Sequence, residues 1–195
     1  MVCFGQGGGT VAARRISVLV GSLRKEAFSR KLARALISLA PPSLELEMVE
    51  IGQLPLYNPD LEEGGPPAPW ADLRRRLKES DGFLFVTPEY NRSVPAALKN
   101  AIDVGSRPYG SNLWNGKPAA VVSVSTGSIG GFGANHHLRQ MLVFINVPCM
   151  PQPEAYVGGA AGLFDPQGQL VNDKTRDFLR GFMNAFAAWV ERHVS

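Results

Sequence analysis

From Ile16 onward the chain alternates short apolar runs with amphipathic helical stretches, and few folds accept that order. Ile16 to Val20 is apolar and largely β-branched, and Arg30 to Ala40 follows with Leu32, Leu36 and Leu39 on one helical stripe before Pro41-Pro42 stops it. Leu44 to Glu50 alternates Leu44, Leu46 and Met48 with charged residues, as an edge strand does. After a Pro- and Gly-rich loop, Ile51 to Pro69, a helix is expected from Trp70 to Glu79 with Leu73 and Leu77 inward. Gly82 to Thr87 (GFLFVT) then reads as a strand buried on both faces. Pro95 takes the favoured first-turn position of a helix over Ala96 to Val104. Pro118 to Ser125 is a fourth strand and Asn135 to Ile145 a fourth helix, with Leu138, Met141, Leu142 and Ile145 apolar. Cys149 to Tyr156 can be a fifth, which Pro151 and Pro153 confine to an edge. A last helix runs from about Lys174 to His193, its core stripe formed by Phe178, Leu179, Phe182, Met183, Phe186 and Val190. Strands separated by helices predict an α/β fold: a doubly wound, five-stranded parallel sheet with helices on both faces. Such sheets bind ligands in the crevice outside the carboxyl ends of their strands.

Three of those strand ends carry unusual chemistry. The first reads GSLRKEAFS, Gly21 to Ser29, between a strand and a helix. Backbone N–H groups and the positive end of the helix dipole converge there on a phosphate-sized anion site. Ser22 and Ser29 add hydroxyl donors, and Arg24 adds a charged fork suited to phosphate. No G-K-[ST] follows and G-x-G-x-x-G is absent, so the loop suits one phosphate monoester. The plain alternative is an ordinary turn in which Ser29 is the helix N-cap. The third strand ends in Pro88-Glu89-Tyr90-Asn91, a rigid turn able to aim consecutive backbone N–H groups at a ligand, or simply a polar loop before a helix. The fourth ends in Ser125, Thr126 and Gly127, followed by Gly130 and Gly131, glycines that permit close backbone approach or a plain connector.

At 195 residues and 45% apolar content the chain is expected to form one domain, residues 15–195, preceded by a flexible extension over 1–14 that carries Gly7-Gly8-Gly9. Net charge is +3 without basic blocks, and Arg74-Arg75-Arg76 reads as a solvated helix face, which argues against nucleic acid. Cys3 and Cys149 form no CxxC pair and offer no metal spacing. With no disulfide framework, signal peptide or apolar run near the ~20 residues of a membrane span, a cytoplasmic protein is expected.

GSLRK (Gly21 to Lys25), TPEYN with S-V-P (Thr87 to Pro95), LKNAID (Leu98 to Asp103), GKP (Gly116 to Pro118) and H-L-R-Q (His137 to Gln140), in that order, resemble the NAD(P)H-dependent FMN reductases. These are flavodoxin-like proteins that include quinone, chromate and azo-dye reductases. The resemblance implies bound FMN, with NADPH or NADH as co-substrate and small-molecule acceptors such as quinones and chromate. It places the phosphate on Ser22, Arg24 and Ser29 beside Gly21, and the isoalloxazine between Pro88, Glu89, Tyr90 and Asn91 on one side and Ser125, Thr126 and Gly127 on the other. The chemistry is then the flavin's, and no catalytic side chain is assigned. Two positions depart from the family: Glu26 and Ala27 stand where a small residue and a hydroxyl are common, which places a carboxylate near the phosphate unless it turns outward. His136 stands where the family more usually has an aromatic; with His137 it reads as a surface or subunit contact. The resemblance also implies a homo-oligomer, a dimer or tetramer, for which Tyr109, Trp114, Arg107 and Glu154 are candidate contacts. A competing reading is a flavodoxin-type electron carrier that binds FMN without its own NAD(P)H reaction; such carriers are typically acidic, whereas this chain is basic. A flavin-free protein on the same scaffold is a third.

Overall fold

A computed structural model of the chain describes residues 12–194. Five parallel strands, β1 (Arg14–Val20), β2 (Leu44–Val49), β3 (Gly82–Pro88), β4 (Ala119–Val124) and β5 (Ala155–Val157), stand in the order β2-β1-β3-β4-β5. Five helices connect and follow them: α1 (Phe28–Leu39), α2 (Ala68–Glu79), α3 (Ala96–Gly105), α4 (Phe132–Phe144) and α5 (Asp173–His193). This is the flavodoxin-like arrangement, whose strand order reverses between β1 and β3 and opens a crevice at their carboxyl ends.

Period-two alternation along the central strands builds two cores. On β3, Leu84 and Val86 pack with α1 and α5, through Leu32, Leu36, Phe182 and Phe186. Phe83 and Phe85 face the other way, onto Trp70, Leu73, Leu98, Leu138 and Leu142 of α2, α3 and α4. Both layers exclude water almost completely, so the crevice rests on a rigid platform.

The helix and strand ends differ from the sequence expectation by a few residues, and some differences have clear causes. Arg14 already belongs to β1, its N–H donating to Ser43 O at 2.8 Å, because its side chain is anchored on Glu191 of α5. The rest of the expected 1–14 extension lies outside the described residues, apart from 12 and 13. The expected fifth strand divides into a bridge of Cys149 with Ala119 and the three-residue β5, since the intervening prolines donate no ladder bonds. Pro95 is the N-cap of α3, not its first residue. Phe178, expected in the core stripe of α5, is 42% exposed at the outer edge of that stripe. In the arginine triplet, Arg75 and Arg76 are solvated and paired with Asp72, Glu79 and Glu47. Arg74 instead folds inward: it forks onto Glu62, donates to Val104 O and lies over the Trp70 ring. That hydrogen bond holds the Glu62 carboxyl below its ordinary range. Trp114, a candidate contact in an aperiodic loop, is fully buried, edge-on to Phe83 at 4.7 Å with its indole N–H on Ile102 O. Among the described residues no helix is long and apolar enough to cross a membrane, and no group of His, Cys, Asp and Glu is placed to hold a metal.

Candidate active site

Three loops meet beyond the carboxyl ends of β1, β3 and β4. The first begins with Gly21, whose N–H bonds Val86 O; a side chain there would fall 2.9 Å from Thr87 Oγ1, so only glycine lets β1 end this close to β3. Ser22 is buried and shares a 3.3 Å hydrogen bond with the Tyr90 hydroxyl. Its Oγ also accepts from the Arg24 N–H, which shapes the turn into α1. The helix then starts at Phe28; its N-cap, Ala27, offers no side-chain bond, and its first turn holds no acidic residue. Ser29 is not the N-cap. It lies inside the first turn, 1% exposed, with a hydroxyl that has no partner. Arg24 is exposed and has no carboxylate partner among the described residues. Glu26 turns outward to Lys31, 3.6 Å away, so its charge stays off the anion site.

The second loop is a tight hairpin. Tyr90 and Ser93 exchange both backbone hydrogen bonds, and Asn91 and Arg92 between them take positive φ values of 51° and 63°, the geometry of a two-residue type I′ turn. Sequence reasoning expected consecutive backbone N–H groups of Pro88-Glu89-Tyr90-Asn91 to face a ligand; proline has no N–H, and the Tyr90 N–H donates to Ser93 O within the hairpin. Among the described residues the Asn91 and Arg92 N–H groups have no acceptor in the chain and are the free donors at the hairpin tip. The Glu89 side chain leaves the hairpin for the start of α4, where it accepts from the Ala134 N–H at 3.0 Å.

In the third loop, Ser125 Oγ accepts from the Gly127 N–H, and Gly127 O receives the Gly159 N–H. Gly130 and Gly131 both have positive φ; a side chain at Gly130 would strike the Tyr156 backbone at 2.5 Å. Ser22, Arg24, Ser29, Pro88, Glu89, Tyr90, Ser125 and Thr126 therefore line one cleft. Gly21, Asn91 and Gly127 lie beside it and shape its walls rather than its lining. The cleft also takes in Ala27, Phe28 and Val124, which the sequence reading did not count among its site residues; Ala27 and Phe28 were legible as the two residues immediately before Ser29. Beside the third loop, His136 meets the Tyr156 hydroxyl at 2.7 Å, and His137 meets Ser93 Oγ at 2.7 Å. Burial first, then the neighbouring Glu154 carboxylate, pushes the Tyr156 phenol up to about 12. Burial likewise raises the Cys149 thiol above its ordinary range.

The donor set fits FMN. A buried unpaired hydroxyl, an uncapped helix start and a free guanidinium suit one phosphate, and the donor-bearing hairpin opposite suits the polar edge of a flavin ring. The family described as NADPH-dependent FMN reductase matches residues 14–162. A quinone reductase of Pseudomonas putida is 64% identical over 176 residues, 90% of this chain and 94% of that protein. A 2-hydroxy-1,4-benzoquinone reductase of Burkholderia sp. is 44% identical, covering 91% of this chain and 97% of that one. Among solved structures, the flavoenzyme FerB of Paracoccus denitrificans, an NAD(P)H:(acceptor) oxidoreductase, superposes with a TM-score of 0.87 at 43% identity, over 93% of this chain and 99% of its own.

Proposed function

The chain belongs to the NADPH-dependent FMN reductase family and is an FMN-dependent NAD(P)H oxidoreductase, and from that premise we propose that it reduces quinones with NADPH or NADH in the cytoplasm. Bound FMN supplies the centre that accepts hydride and passes electrons on. The chain's residues bind and orient. Ser22, Ser29, Arg24 and the first-turn N–H groups of α1 take the phosphate. The Asn91 and Arg92 N–H groups at the hairpin tip and the Ser125–Gly127 turn flank the ring, where donors stabilise negative charge as it is reduced. The observation that carries this assignment is the buried, unpartnered Ser29 hydroxyl in a cleft shared with Arg24 and the hairpin.

No catalytic acid or base is assigned, and bound FMN would supply chemistry open to several acceptors. The net charge of +3 favours anionic ones such as chromate alongside quinones. A homo-oligomer, dimer or tetramer, is supported by an apolar patch at the end of α4, where Val143 and Phe144 are 75% and 84% exposed.

The test is steady-state oxidation of NADPH and NADH by purified protein with FMN, using benzoquinone and then chromate. Wild type oxidises at least one nicotinamide with the quinone. Arg24→Ala weakens FMN binding about 10- to 100-fold, the loss of a charge-assisted hydrogen bond, and turnover collapses at limiting FMN. A protein that holds FMN yet oxidises neither nicotinamide is an electron carrier instead.

A further inference from the structure

The hairpin after β3 and the loop before α4 are opposing walls of the cleft, and each is exposed at its tip. One half-buried side chain joins them. Glu89, only 12% exposed, directs Oε2 to the Ala134 N–H at 3.0 Å and receives Arg92 Nη1 on Oε1 at 3.1 Å. Helix α4 has no cap of its own: its N-cap is Gly131, and no acidic residue occupies its first turn. The acceptor it needs arrives from 45 positions earlier. The approach is close: a methyl group at Gly133 would lie 2.9 Å from Glu89 Oε2 and 3.1 Å from Arg92 O, so the carboxylate would have to shift. Ser93 and His137 add a second link between hairpin and helix one turn further along. A carboxylate in this position holds the hairpin, with its free Asn91 and Arg92 N–H groups, at a set distance from the Ser125–Gly131 loop.

We propose that Glu89 is a positioning residue, a strut whose bond to the start of α4 sets the gap between the two loops that receive the FMN ring. The proposal rests on the assignment of this cleft to FMN. Purified apoprotein is titrated with FMN by flavin fluorescence, and its thermal unfolding is followed in parallel. Glu89→Ala weakens FMN binding by about tenfold or more. Glu89→Gln, whose amide oxygen can still accept from Ala134, stays within about threefold of wild type. Gly133→Ala pushes the carboxylate off the helix and follows Glu89→Ala. Asn172→Ala removes the side-chain cap of α5, which accepts from the Thr175 N–H at 2.8 Å, and is the control for lost capping away from the cleft: it lowers the melting temperature and leaves FMN affinity unchanged.

A Glu89→Ala protein that melts earlier but binds FMN as wild type does would reduce Glu89 to a cap and overturn the proposal. So would a Glu89→Gln protein as weak as Glu89→Ala, which would make the charge, not the strut, the active feature. Wild-type protein that binds no FMN would instead overturn the assignment of the cleft, and this proposal with it.

Discussion

Ser29 has a buried hydroxyl with no hydrogen-bond partner among the described residues. Leaving such a group buried and unmade costs about 1–3 kcal/mol, so the free protein carries a destabilising feature that a phosphate oxygen relieves. Ser29→Ala is therefore expected to leave the apoprotein's melting temperature unchanged or raise it by about 2–4 °C per kcal/mol regained. The same variant weakens FMN binding several-fold, and thermal shift with and without FMN reads both effects. An apoprotein that melts well below wild type would mean that the hydroxyl is bonded in the free state. The sequence offered Ser29 as a site candidate and left it open to being an N-cap, since Ser before an apolar helix suits either role. Only the helix start at Phe28 separates them. Glu26 was equally open, and its contact with Lys31 shows that the substituted carboxylate does not contest the anion site.

Packing between elements is where local pattern was least informative. Helices α2 and α3 meet at Gly105, where an added methyl would come within 2.6 Å of both Leu77 Cδ1 and Trp114 Nε1. Gly105→Ala keeps an ordinary helical backbone, so its cost is steric: about 2 kcal/mol of overpacking, read by calorimetry as a fall of ~4–8 °C in Tm. An unchanged Tm would show that Trp114 can move aside, against its indole bond to Ile102 O and its contact with Phe83. Trp114 lies in a loop with few apolar neighbours, which is why sequence reading offered it as a candidate subunit contact. Its burial comes from the loop folding back over β3, a long-range event with no local signature. Arg74 was misassigned for a related reason. Its helical position is near the solvent boundary, and the Glu62 carboxylate that draws it inward belongs to a separate 3-10 turn at Pro59–Glu62.

At the scale of the whole molecule, among the described residues, Val143 and Phe144 stand exposed beside Met141 and the outer side of α3. If this face joins subunits, Phe144→Asp weakens association by about 30- to 1,000-fold, the range for an aromatic anchor at an interface. Sedimentation would show the variant as monomer where wild type is oligomeric, with little change in secondary structure. A wild-type monomer at micromolar concentration would remove the patch from consideration. The amino-acid sequence by itself determined the order and type of the elements, the parallel doubly wound sheet, and the three strand ends that meet at one cleft. Those follow from local periodicity and from the handedness of strand–helix–strand connections, which short stretches of chain already encode. Tertiary structure alone decided that Ser29 is unpaired, that Glu89 reaches the start of α4, that Tyr90 spends its N–H within the hairpin and that Trp114 is core while Phe144 is not. Each of these depends on which groups come within a few ångströms across distant segments, and hydrogen bonding and close packing discriminate only at that range.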